Sequence, residues 1–262
     1  MAGSRVSWRT VAVVAMLALA GCSSAPGPAG TETETVTPAP VPEARGFAPG
    51  VTAGGMNVST VLTAHKRQLQ NRSYTLTTTL AVRNQSMRAV QWRERSVTRV
   101  APGTTPVAVT TTYSEPRAAD GVVRTQLYYD GSTTRRSVTA NGSVSVQRFD
   151  HRTSVDPTNA DLLGNVFFQL TDVRIRRGAS GATVVSGTVR YPRLLPTPPN
   201  VQANGRATVT ASVRQSGLVE RMVIGYDAGA SENPTRVRLV TQITDRGTTT
   251  VERPTWATTS DG

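Results

Sequence analysis

From residue 73 to residue 245, runs in which every second residue is apolar are separated by turn residues, a pattern that leaves little choice but an antiparallel β-sheet with one buried face. In the first run Tyr74, Leu76, Thr78, Leu80 and Val82 fall on one side. Further strands are expected at 90–100, 106–113, 122–129, 133–139, 143–149, 172–177, 182–190, 206–215, 218–226 and 235–245. Asp130-Gly131 and Asn141-Gly142 have the composition of two-residue hairpin turns, which need positive φ at their centre. They predict a three-strand meander over 122–149. The turns at 178–181 and Ser216-Gly217 join later strands, and the Pro-rich segment 191–200 breaks the sheet or opens a mouth in it.

Two segments carry a helical period instead. The first is capped by Asn57 or Ser59 and runs to about Gln70, with Val58, Val61, Leu62, His65 and Leu69 along one side. His65 there reads as a core-edge residue. The second has Asp156 as cap and Pro157 at its first position, then Leu162, Leu163, Val166, Phe167 and Leu170 on one face. Such an apolar helix must be covered, most simply by the sheet. The expected class is α+β: a strongly curved antiparallel sheet, a half-barrel of about ten strands wrapped around two helices, with a closed barrel as the alternative.

The N-terminus carries an address. Arg5 and Arg9 precede an apolar run, Val11 to Leu19, that is about half the roughly 20 residues a membrane-spanning helix needs. Leu19-Ala20-Gly21-Cys22 then matches a lipobox, the pattern at which a thiol is acylated and the chain is cut just before it. Cys22 is the only cysteine in the chain, and a free thiol is a liability in an oxidising compartment. One acyl chain gives marginal, reversible membrane binding, so a stable anchor needs two. Residues 1–22 are thus expected to be a lipoprotein signal peptide. Residues 23–50, rich in Pro, Thr and Glu, form a spacer that cannot bury enough apolar surface to fold. Residues 51–262 make a single globular domain, held by lipid on Cys22 at the outer face of the cell membrane.

Composition removes several chemistries. With one Cys and two His, a Cys/His zinc site or a Cys–His nucleophile is excluded, and the domain has no disulfide. There is no phosphate-cradling Gly loop, no Gly-x-Ser-x-Gly elbow and no carboxylate pair spaced for acid–base work. The chain is read as a non-enzyme without cofactor or metal, an enzyme with an unrecognised site being the third reading. Net charge is +12, carried by Arg with Lys66 as the only lysine. That admits two readings: an anionic partner at the membrane or in an envelope polymer, or, the reading that the absence of any block of four basic residues favours, solvated strand faces whose arginines point outward. Export and the lack of a recognition motif argue against nucleic acid. Of four Asn-x-Ser sequons, Asn71 and Asn141 sit in expected turns and are the candidate glycosylation sites.

Several stretches together resemble uncharacterised lipoproteins of halophilic archaea: the lipobox, the spacer, the 64–76 segment ending Ser-Tyr-Thr-Leu, Tyr128-Tyr129-Asp130-Gly131 and the closing Val251-Glu252-Arg253-Pro254-Thr255-Trp256. The order of helix, Ser-Tyr strand, meander, second helix and closing strand is similar to the LolA and LprG lipoprotein-carrier group. That resemblance implies a half-barrel holding acyl chains. The leading expectation is a binding module whose apolar cavity for a lipid or other apolar ligand is lined by Leu76, Leu80, Trp92, Phe167 and Leu170. A surface-structural or adhesion protein meeting an anionic envelope polymer through its Arg-rich exterior is the alternative.

Overall fold

Alternation in sequence becomes alternation in space. In the computed structural model the described residues are 46–84, 90–114, 123–140, 142–149, 156–178, 180–190, 195–197, 203–228 and 235–258. A small hairpin, β1 (Val51–Thr52) and β2 (Gly55–Met56), leads into helix α1 (Val58–Leu69). The strands β3 (Tyr74–Asn84), β4 (Val90–Val100), β5 (Val107–Ser114), β6 (Val123–Tyr129), β7 (Thr134–Ala140) and β8 (Ser143–Phe149) follow. Helix α2 (Ala160–Phe167) separates them from β9 (Leu170–Arg177), β10 (Thr183–Val189), β11 (Ala203–Val213), β12 (Val219–Ala228) and β13 (Thr235–Thr244).

The last eleven strands form one antiparallel sheet in the order β8-β7-β6-β5-β4-β3-β13-β12-β11-β10-β9. Each half is a meander of neighbouring strands. The halves are joined by β3 and β13, whose ladder sets Leu80 opposite Leu239 and Val82 opposite Val237. The architecture fits an α+β curved sheet. The strands number eleven, and the sheet does not close into a barrel, because β8 and β9 are its free edges.

Both helices lie on the face that carries Leu80 and Val82. Val61 of α1 and Leu163, Val166 and Phe167 of α2 share one buried cluster with Val185, Val209, Met222, Ile224, Val237 and Leu239. A second cluster at one end of the sheet joins Leu69 of α1 to Tyr74, Leu76, Val100, Val107, Leu218 and Ile243. Asn57 caps α1 by accepting from the Thr60 N–H at 3.0 Å, as the sequence indicates.

Four local expectations need correction. Phe47 and Ala48 pack in the main cluster, so the globular body takes in residues ahead of the boundary placed at Val51. Asp156 is not the residue that immediately precedes α2, though it reaches one first-turn N–H of the helix, that of Asp161. Its carboxylate accepts from the Thr158 and Asp161 N–H groups, forming a turn of its own, and α2 begins at Ala160 behind Asn159 in a left-handed conformation. Leu170 is not on α2: the helix ends at Phe167 and Leu170 opens β9 opposite Val189. At Asp130-Gly131 the hairpin turns one residue later, around Gly131 and Ser132, with Asp130 N–H donating to Thr133 O. The cause is the Asp130 carboxylate, which accepts from the Ser132 and Thr133 N–H groups. Those bonds hold it near a pKa of about 2, with Arg135 at 3.5 Å adding to the effect.

Candidate functional site

The two helices fill one part of the inner face far better than the other, and the strand register shows how. Opposite Tyr74 of β3, the inner-facing row across β4 to β7 is Val100, Val107, Tyr129 and Thr134, largely buried under the Leu69 end of α1. Along the strands the next rows are Thr98-Val109-Leu127 and Ser96-Thr111-Thr125, and in the latter the Thr111 hydroxyl donates to Ser96 Oγ at 3.2 Å. The last row is Glu94-Tyr113-Val123. Exposure climbs along this wing, from 0% at Val100 through 6% at Thr98 to 36% at Val123. The face opens away from α1.

Aromatic and ionisable side chains gather at the open end. The Trp92 and Tyr113 rings stand 6.2 Å apart, tilted by 46°. Burial pushes the Glu94 carboxyl above its ordinary range. The Tyr113 phenol is raised by burial and then by Glu94, with Arg136 acting in the opposite direction. This end therefore holds a floor of Thr, Ser, Val and Leu, a pair of rings, one half-buried carboxyl with a raised pKa and, opposite Leu127, the exposed Arg136.

The five expected cavity residues all lie on the inner side of the sheet but do not form one group. Leu80 and Phe167 are 4% and 2% exposed within the main cluster, while Leu76 belongs to the second cluster. Leu170 and Trp92 are partly buried against the main cluster, and of the five only Trp92 is on β4, beside the open rows. Tyr113, Val109 and Leu127 complete the floor, and sequence reasoning did not select them. The register of three hairpins, carried outward from Leu80, was the signal that pointed to them.

His65 is fully buried, with both ring nitrogens engaged. Nε2 donates to Thr158 O at 2.8 Å, and Nδ1 accepts from the Val219 N–H at 3.2 Å. Among the described residues no group of three or more His, Cys, Asp or Glu could hold a metal ion, and no helix is long and apolar enough to cross a membrane. Asn71 is exposed in the turn after α1. Cys22 and Asn141 lie outside the described residues.

No family model matches this chain, and no curated protein matches its sequence. Among solved structures, the Mycobacterium tuberculosis lipoprotein LppX is similar over 72% of this chain and 96% of its own, at 14% identity and a TM-score of 0.38. A DUF1329 family protein from Desulfovibrio piger covers 72% of this chain and 92% of its own, at 8% identity and a TM-score of 0.27. The MucA/MucB complex of Pseudomonas aeruginosa follows with 73% and 95%, 9% identity and a TM-score of 0.13. Likenesses this loose say nothing of ligand or partner. The resemblance to lipoproteins of halophilic archaea finds no support among them.

Proposed function

We propose that this chain is a non-enzymatic binding module, anchored by lipid on Cys22 to the outer face of the cell membrane, that takes a lipid or other apolar ligand on the inner face of β4 to β7. The observation that carries the reading is the graded exposure of that face. Its rows are largely buried under α1 at one end, and at the other they leave Trp92, Tyr113 and Val123 partly open. A half-covered floor that mixes Val and Leu with Thr and Ser and ends in aromatic rings can line a site for an apolar ligand, with polar groups to orient it. Glu94, whose carboxyl burial pushes above its ordinary range, is one of the few polar groups placed to orient such a ligand. Leu80 and Phe167 serve as the packed wall behind this floor rather than as contact residues.

Two measurements test the proposal. The full chain carrying Cys22→Ser, free of acyl groups of its own, is purified without detergent from cells holding the natural lipids and weighed by native mass spectrometry. An extractable lipid adduct is expected, reduced at least tenfold in the Val123→Arg, Thr125→Arg double variant. A bare mass, or an adduct indifferent to that variant, contradicts the site. Fractionation tests the anchor: the wild-type chain stays with salt-washed membranes and the Cys22→Ser chain leaves them. Equal retention of both would remove the lipid anchor from the proposal.

A further inference from the structure

The opposite face of the sheet holds a second concavity, with a different chemistry. It has a volume of about 540 Å³ and crosses five strands from β4 to β11. Five arginines line it: Arg83, Arg93, Arg95, Arg236 and Arg238. All five are exposed, and no carboxylate shares the lining. The floor between them is made of small residues. One transverse row runs Arg93, Ala81, Arg238, Gly225, Thr208, and the next runs Arg95, Thr79, Val240, Val223, Thr210.

Two features set this trough apart from an ordinary solvated strand face. First, Arg83 and Arg236 are directly opposite each other on β3 and β13, an arrangement of like charges that works against the ladder. None of the five is ion-paired with another described residue, and the pairs Arg135 with Asp130 and Arg214 with Glu220 lie elsewhere. Asp227, in register with Arg236, has partners of its own and is not part of the lining. Second, the charges are concentrated over a small base. Strands lie about 4.8 Å apart, so Arg93 and Arg238, flanking β3, start about 10 Å from each other, and Arg93 and Arg95 start about 7 Å apart. Side chains of this length can reach a single group placed over Ala81, between Arg93 and Arg238.

We propose that the trough binds a phosphate-bearing anion carrying two or more negative charges, free or as the headgroup of a lipid. Guanidinium forks match phosphate oxygens in pairs, and several forks around one group suit a di- or polyanion better than a single chloride-like ion. The small floor leaves room for it. A Cβ at Gly225 would lie 3.4 Å from Thr208 Oγ1 and 3.8 Å from Arg236 Nη2, so a larger side chain there occupies the space between those two groups. This site is on the other side of the sheet from the apolar floor, and either stands without the other.

Sodium pyrophosphate is the probe, titrated into the full chain at fixed ionic strength and followed by calorimetry and thermal melting. Saturable binding with a rise in Tm is expected. It weakens at least tenfold in Arg93→Gln and in Arg238→Gln, and is lost in the double variant, whose unliganded melt stays within a few degrees of wild type. Gly225→Leu keeps every charge and fills the floor, and it also weakens binding at least tenfold. Vesicles of phosphatidylcholine with and without phosphatidic acid, mixed with the Cys22→Ser full chain, separate the two sources. Capture that needs phosphatidic acid and is reversed by pyrophosphate assigns a headgroup, whereas pyrophosphate binding without capture assigns a free anion. A Tm shift that follows ionic strength alone, or that survives in the Arg93→Gln, Arg238→Gln chain, overturns the site.

Discussion

Gly217→Ala is expected to destabilise the fold by about 3 kcal/mol or more, the sum of a backbone cost and a steric one. Gly217 sits in the turn between β11 and β12 at φ +91°, where an L side chain is strained. Its position is also directly beneath α1: an added Cβ would come within 2.5 Å of the Ala64 Cβ and 3.5 Å of its Cα. Neither neighbour is the end of a flexible side chain, so helix or turn must shift. The second change Ala64→Gly removes the clash and leaves the φ strain, at a helix-propensity cost of about 1 kcal/mol. The double variant should therefore regain part of the loss, and the two substitutions should couple. Urea melts of the four chains in the cycle measure this. A single variant within about 0.5 kcal/mol of wild type would show that α1 does not depend on close contact with the turn.

One residue along the same helix, His65→Leu is expected to cost about 3 kcal/mol, because it leaves two backbone groups without their partner, the part-buried Thr158 O and the buried Val219 N–H, for one side chain removed. His65→Gln, which can restore one of the two bonds, should fall between. The same geometry gives a pH dependence. Burial lowers the imidazole pKa below its ordinary 6.5, against the opposing pull of the Thr158 carbonyl and Asp156. Below pH 6.5 the unfolded chain therefore takes up the proton first. Stability is fully present above that value and falls as pH drops from 6.5 through the folded pKa, by at most about 1.4 kcal/mol per pH unit. Protonation also puts a hydrogen on Nδ1, where the Val219 N–H needs an acceptor. Melts from pH 7.5 to 5 should show a slope in the wild type that His65→Leu lacks. Parallel curves would mean that the proton is accepted without loss of the Val219 bond.

Strand boundaries were the most legible part of the molecule. Alternation over a half-buried sheet is a local property, and hairpins with Gly142, Gly181 and Gly217 at positive φ announce themselves in sequence. What failed were the places where a side chain outcompetes the local rule. Asp130 and Asp156 each bind backbone N–H groups ahead of them. One shifted a turn by a residue, and the other delayed a helix until Ala160. Leu170 continues the apolar period of α2, yet it opens β9 and its backbone pairs with Val189 of β10, since a helical face and the first inner residue of a strand look alike across a boundary. The candidate floor was only half legible for a different reason. Leu80 and Trp92 have the same composition signal, and what separates packed wall from open floor is how far α1 and α2 extend over the sheet, which no local pattern encodes. The arginine trough was visible only as an Arg-rich exterior. Its five members come from three strands, and the pairing of β3 with β13 is what assembles them.

That pairing also governs how the protein is made. β3 is the first strand of the sheet to be synthesised and β13 is the last, so Leu80 waits for Leu239 through the synthesis of every other strand. Until then the β3–β8 meander carries an unpaired inner edge, the kind of surface that captures stray chains. Completion of the sheet is a late, long-range event with a slow intrinsic rate. A chain truncated anywhere before Thr235 leaves that edge open for good, which makes the final strand the checkpoint at which the molecule becomes safe from aggregation.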